Sequence, residues 1–138
     1  QFYSYYQRFG FGQTTGIDLM GESPGTMLMP GHPLWTPVDI ATNSFGQGMA
    51  VTPLQMISAV SAIANQGDQM LPHVVAEFHS ADGVVYREPE IISTPIEPRT
   101  ADQVTTMAIQ SVSAGAVPGY TVAGKTGTAQ KNLAPQSS

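Results

Sequence analysis

Lysine occurs at only two positions in this chain, Lys125 and Lys131, and the first sits in Val122-Ala123-Gly124-Lys125-Thr126-Gly127-Thr128-Ala129-Gln130. A lone cation among glycines and threonines suits a site that brings backbone close to a ligand and fixes an anionic group. Gly124 and Gly127 remove side chains that would block approach. Thr126 and Thr128 offer rotatable hydroxyl donors, and Lys125 supplies a compact positive charge. The plain alternative is a Gly/Thr-rich turn carrying a solvated lysine.

Two chemistries compete for the motif. Read from Gly119, the run Gly119-Tyr120-Thr121-Val122-Ala123-Gly124-Lys125-Thr126 matches G-x-x-x-x-G-K-[ST], a phosphate-binding loop. That loop needs a buried strand before it and a helix after it whose N-terminus faces the phosphates. The residues from Ala101 to Gln110 are helical in pattern instead, and too few apolar residues precede Pro135 to make an amphipathic helix. The second reading makes Tyr120 to Gln130 one extended element, since Tyr120, Thr121 and Val122 favour a strand.

The elements that must position this segment can be read in outline. Phe2, Tyr5, Tyr6 and Phe9 share a face of a helix ending near Gly10. A long glycine- and proline-rich connection follows, and Pro37 to Thr42 reads as a short helix capped by Thr36. Thr52, Pro53 and Gln55 form a capping box with proline at the first helical position. Met56, Ile57, Val60, Ile63 and Ala64 continue that helix to Asn65-Gln66-Gly67, and it is expected to be largely buried. Met70 to Phe78 turns extended, and Asp82-Gly83 signals a hairpin before Val84-Val85-Tyr86. Thr100 to Gln103 is a second capping-box pattern, predicting a helix from there to about Val112.

Composition sets the limits. At 138 residues, 41% apolar and 11% charged, the chain has enough hydrophobic content for one modest core. Its net charge of -5, with no cluster of Lys and Arg, argues against nucleic acid as a partner. No cysteine is present, which excludes disulfides and thiolate metal sites. His32, His73 and His79 have no metal-ligand spacing, so no metal is expected. The methionines read as packing residues. Asp18 and Glu22, in the glycine-rich connection, read as structural rather than as an acid–base pair. No apolar run is long enough to span a bilayer.

Beyond the lysine segment, the chain carries Phe9-Gly10-Phe11-Gly12, Thr15-Gly16-Ile17-Asp18-Leu19, Glu22-Ser23-Pro24-Gly25, Ser44-Phe45-Gly46-Gln47-Gly48, Val51-Thr52-Pro53-Leu54-Gln55 and Ala64-Asn65-Gln66-Gly67. In this order, and with Lys125-Thr126-Gly127-Thr128-Ala129-Gln130 as the K-T-G motif, it resembles the penicillin-binding transpeptidase family. The Ser-Phe-Gly-Gln-Gly run is similar to the monofunctional, class B members that build septal or side-wall peptidoglycan. The family's nucleophile motif S-x-x-K and second motif S-x-N do not occur here. The resemblance therefore implies that residues 1–138 are the C-terminal portion of one transpeptidase domain, with those motifs upstream and later strands lacking.

The resemblance implies an α/β (α+β) fold like that of the serine β-lactamases, a mostly antiparallel sheet flanked by helices, incomplete in this chain, with Tyr120 to Gln130 a strand at its active-site edge. It implies D,D-transpeptidation, in which an acyl-serine carries a stem peptide from D-Ala-D-Ala to an amine of a neighbouring strand. Lys125 would face the cleft and bond the serine of the second motif. Thr126 and Thr128 would meet the carboxylate of the substrate or of a β-lactam, Gly127 would leave room for the acyl group, and the Thr128 N–H would be an oxyanion-hole donor. Ser44, Gly46, Gly48 and Gly124 are read as support. No metal or organic cofactor is implied. The expected partners are peptidoglycan stem peptides, β-lactams and other cell-wall synthesis proteins. The expected location is the extracytoplasmic face of the bacterial inner membrane, with an anchor upstream. A serine β-lactamase or β-lactam sensor of the same fold, and a non-catalytic binding domain, are the alternatives. The chain by itself is expected to be inactive.

Overall fold

The computed structural model describes residues 1–112 and 117–128. Among these residues are four helices and six short strands, in the order α1 (Phe2–Arg8), β1 (Thr26–Met27), α2 (Pro37–Ser44), β2 (Met49–Ala50), α3 (Pro53–Ala64), β3 (Gln69–Met70), β4 (Glu77–Ser80), β5 (Gly83–Tyr86), β6 (Ile91–Ser93) and α4 (Pro98–Ser111). The described strands pair antiparallel in three separate ladders, β1 with β2, β3 with β6 and β4 with β5. The α/β class and the antiparallel pairing are those expected.

The helix starts follow local chemistry. At α3, the Thr52 hydroxyl accepts the Gln55 N–H at 3.1 Å and the Gln55 side-chain oxygen accepts the Thr52 N–H at 2.9 Å. That reciprocal cap was legible, as was Thr36 as the cap of α2; the structure adds Asp39, whose carboxylate accepts the Thr36 N–H at 2.6 Å. The start of α4 differs from the expectation. It begins at Pro98 with Glu97 as its cap, two residues ahead of the Thr100 box, because proline presets the helical φ and needs no N–H partner in the first turn.

Burial of α3 also corrects the sequence reading. Gln55, Ser58, Ala59 and Ala62 are buried, while Met56, Ile57 and Val60 lie exposed. The small and polar side therefore does the packing, since Ala and Ser let α4 and β3 approach the helix closely. Met56, Val60 and Ile63 instead line a groove of about 330 Å³ with the rings of Phe2 and Tyr6 of α1 and of Phe9 just after it. On the other side of α1, the buried Tyr3 hydroxyl accepts the Trp35 indole N–H at 2.9 Å and an Asn43 amide N–H at 3.1 Å.

Two amides in the core tie distant segments together. Gln55 donates to the carbonyls of Gln13 at 2.6 Å and Pro24 at 2.8 Å, pinning both ends of the glycine-rich connection. Gln69 donates to the Phe9 carbonyl at 3.1 Å and the Ser58 hydroxyl at 3.2 Å, and its oxygen accepts from Ser93 at 2.9 Å. The connection that looked irregular thus carries β1 and is held by side chains rather than by a long ladder.

Candidate functional site

Residues 121–128 run without helix or strand along the end of α4. The strand expected from Tyr120 to Gln130 is not formed by its described residues, 120–128, and Ala129 and Gln130 lie outside them. Strand propensity has no effect without a partner, because a strand exists only through its ladder. Among the described residues no other segment pairs with this one. The phosphate-loop geometry is not seen either: a turn covers Pro118 and Gly119, and no helix begins at Thr126.

What holds the segment is α4. The Gly124 N–H donates to the Ala108 carbonyl at 3.3 Å, and the Ser111 hydroxyl donates to the Gly124 carbonyl at 2.7 Å. A Cβ on Gly124 would stand 3.2 Å from a Val112 methyl carbon, so the small residue lets the segment lie close to the helix end. Ser111 is not singled out by the sequence, which places it only at the end of the helix running to about Val112. A hydroxyl in the last turn of a helix just upstream of the motif was the available signal.

Beyond Gly124 the segment faces solvent. Lys125, Thr126, Gly127 and Thr128 are all exposed. The Lys125 ammonium donates to the Thr126 carbonyl at 2.8 Å and stands 3.5 Å from the Thr126 hydroxyl. With Val104, Met107, Ala108 and Ser111 of α4, Lys125 also borders a groove of about 240 Å³. Gly127 contrasts with Gly124: a Cβ there would meet nothing within 4 Å. Packing within the described residues does not require glycine at 127.

The other expected support residues lie apart. Ser44 ends α2 and donates to the Ala41 carbonyl at 2.6 Å. Gly46 adopts φ +80, the left-handed region that favours glycine. Gly48 is constrained by space, since a Cβ would collide with the Asn43 amide oxygen and lie 2.7 Å from the Thr42 hydroxyl. These residues shape the turn after α2. Among the described residues that turn shares no hydrogen bond with Lys125–Thr128.

The acidic residues behave structurally, as their setting suggested. Asp18 accepts the N–H groups of Val74 at 2.8 Å and Val75 at 3.1 Å. The Val74 bond is the main reason its carboxyl is held below the ordinary value. Glu22 accepts the N–H groups of Thr15 at 2.7 Å and Gly16 at 3.1 Å. Partial burial pushes its carboxyl up, but bonds from Thr15, Gly16 and Ile17 outweigh that and leave it lowered. His79 pairs with Glu77 at 2.7 Å on the exposed hairpin, and His32 accepts the Leu34 N–H at 3.2 Å.

The family model for the penicillin binding protein transpeptidase domain matches residues 1–137. The chain belongs to the penicillin-binding protein transpeptidase family. It is 41% identical over 138 residues to stage V sporulation protein D of Bacillus subtilis, covering 94% of this chain and 21% of that protein. It is 30% identical over 133 residues to the peptidoglycan D,D-transpeptidase FtsI of Escherichia coli K12, covering 91% of this chain and 21% of that protein. The apo crystal structure of penicillin binding protein 3 from Mycobacterium tuberculosis superposes with a TM-score of 0.83 at 34% identity, over 97% of this chain and 32% of that one. The same protein complexed with ampicillin gives a TM-score of 0.71 at 32% identity, over 78% of this chain and 24% of that one. The chain thus spans about a fifth of the length of these curated relatives, 21% in each case. The likeness to the family read from the motifs is borne out.

Proposed function

We propose that this chain is part of a serine-type D,D-transpeptidase that cross-links peptidoglycan, and that Lys125 to Thr128 form one wall of its active site. The observation that carries the reading is the exposed Lys-Thr-Gly-Thr segment, secured on a helix end in a chain matching a transpeptidase domain over residues 1–137. Its nucleophile belongs to a part of the complete protein upstream of this sequence. The serine oxygen attacks the penultimate D-Ala carbonyl of a stem peptide, D-Ala leaves, and an amine of a neighbouring strand takes the acyl group from the serine.

In this arrangement Lys125 leaves its contact with the Thr126 carbonyl and turns to the serine of the second motif, raising the local positive potential. Thr126 and Thr128 donate to the substrate carboxylate, or to the carboxylate of a β-lactam. The Thr128 N–H points at the developing oxyanion, where a preorganised donor is most effective. Gly127 leaves space for the acyl group, in keeping with the open space around it. An extended peptide can pair with the free main chain of the segment. The D,D-transpeptidase activity named for FtsI and the ampicillin bound by the mycobacterial protein support this reading. The reaction belongs outside the cytoplasm, where an upstream anchor and other cell-wall proteins would hold the enzyme.

Labelling of the complete protein by a fluorescent penicillin tests the proposal. Lys125→Ala is expected to lower the second-order labelling rate by about 100-fold, on the order of 3 kcal/mol, the usual loss for one preorganised contact. Its melting temperature should stay close to that of the wild type. Thr128→Val should lose less, because it keeps the backbone donor. These 138 residues alone should form no adduct, as they hold no S-x-x-K serine. Unchanged labelling of Lys125→Ala refutes the site, and rapid turnover of the adduct would mark a β-lactamase instead.

A further inference from the structure

Among the described residues, 121–128 have no ladder partner, and the bonds that tie them to another element both end on Gly124. Its N–H reaches the Ala108 carbonyl at 3.3 Å, and its carbonyl takes the Ser111 hydroxyl at 2.7 Å. The Ser111 hydroxyl has one proton and a second acceptor in reach, the Ala108 carbonyl at 3.0 Å, so the shorter bond across to Gly124 is the favoured one. Val112 closes on Gly124 from the same side. The residue directly before Lys125 is therefore gripped at both of its polar groups by the last turn of α4.

We infer that Ser111 is a positioning residue: its hydroxyl clamps Gly124 to the end of α4 and so sets where the Lys125 ammonium and the Thr128 N–H stand. This rests on the transpeptidase reading for its consequence, not for its geometry. The Ser111 hydroxyl is engaged by the Ala108 and Gly124 carbonyls. It acts through Gly124, the one residue by which, among the described residues, the segment is hydrogen-bonded to a helix. That helix packs on α3, so the clamp links the active segment to the core. A site whose donors must hold their geometry closely loses rate when such a register loosens.

The test uses the complete protein with Ser111→Ala, which removes the hydroxyl, and Ser111→Thr, which keeps it. Labelling at several fluorescent-penicillin concentrations separates the limiting acylation rate from the apparent Kd. Ser111→Ala should lower the limiting rate about tenfold, with Kd changed less than the rate, and Ser111→Thr should restore most of it. Hydrogen exchange of the amides at 122–128 reads the clamp without chemistry: it should quicken in Ser111→Ala and return toward wild type in Ser111→Thr. Wild-type labelling and exchange in Ser111→Ala would overturn the inference. So would equal losses in both variants, which would show that the packing of the helix end matters and the hydroxyl does not. If the wild-type protein takes no label, the transpeptidase reading fails, and the exchange measurement alone decides whether Ser111 holds the segment.

Discussion

Replacing Gln55 separates two roles that a capping residue combines in this fold. Its side-chain oxygen completes the α3 cap on the Thr52 N–H, and its amide N–H groups hold the Gln13 and Pro24 carbonyls at 2.6 and 2.8 Å. The side chain is 1% exposed. Gln55→Leu keeps a similar volume and strands three partners, each costing about 1–3 kcal/mol when fully buried. The bonds are only part-buried, so the lower end applies to each. About 1 kcal/mol of apolar burial offsets the loss, leaving a net destabilisation of about 2 kcal/mol. Gln55→Glu is the sharper probe. It keeps the acceptor for Thr52 but turns a carboxylate toward two carbonyl oxygens, which raises its folded pKa above the unfolded one. Its stability should therefore be fullest below the unfolded carboxylate pKa, where the acid can donate, and fall as pH rises through the folded pKa. Urea unfolding of the complete protein at neutral and mildly acid pH measures both variants. A Gln55→Glu protein as stable as wild type at neutral pH would refute the argument and reduce Gln55 to a helix cap.

Gly48→Ala should destabilise by about 1–3 kcal/mol in the same urea assay, because its Cβ would overlap the buried Asn43 amide. Gly46→Ala, at φ +80 with open space around it, should cost about 1 kcal/mol through backbone strain alone, so the two substitutions should differ in size. Asp18 has a lowered folded pKa, chiefly through the Val74 N–H, so its contribution is fully present above its ordinary value of 3.8 and lost as pH falls through the folded value. Asp18→Asn should flatten the acid side of a plot of melting temperature against pH, and an unchanged slope would remove Asp18 from the account.

What could be read in advance followed from short-range chemistry. Thr36 before Pro37, and Thr52 with Pro53 and Gln55, declare helix starts within four residues, and the structure forms both caps. The turn signal Asp82-Gly83 lay one residue from the tip, since Ser80 pairs with Gly83 across Ala81 and Asp82. The Lys-Thr-Gly-Thr run stood out as a candidate site because so few cations and so many small residues meet there. Long-range partners gave no such sign. Nothing local to Gln55 tells that its amide reaches Gln13, 42 residues back in sequence, or that Ser111 crosses to Gly124.

The errors share a cause. The helix α3 is expected to be largely buried, yet Met56, Ile57 and Val60 lie exposed and only the side carrying Gln55, Ser58, Ala59 and Ala62 is buried. Side-chain size favours burial, but small size permits closeness, and closeness decides which face a neighbouring helix takes. The same reasoning applies at the site. Tyr120 to Val122 have the propensity of a strand, yet Tyr120 is 78% exposed and residues 121–128 make no ladder. Their order comes instead from one glycine pressed against a helix end, with a serine to hold it. A pattern based on side-chain preference misses such an anchor, because glycine has no side chain and the serine lies 13 residues away in sequence. The candidate site residues and the residues that hold their segment on α4 therefore carry different signals, and only the first were visible as a motif.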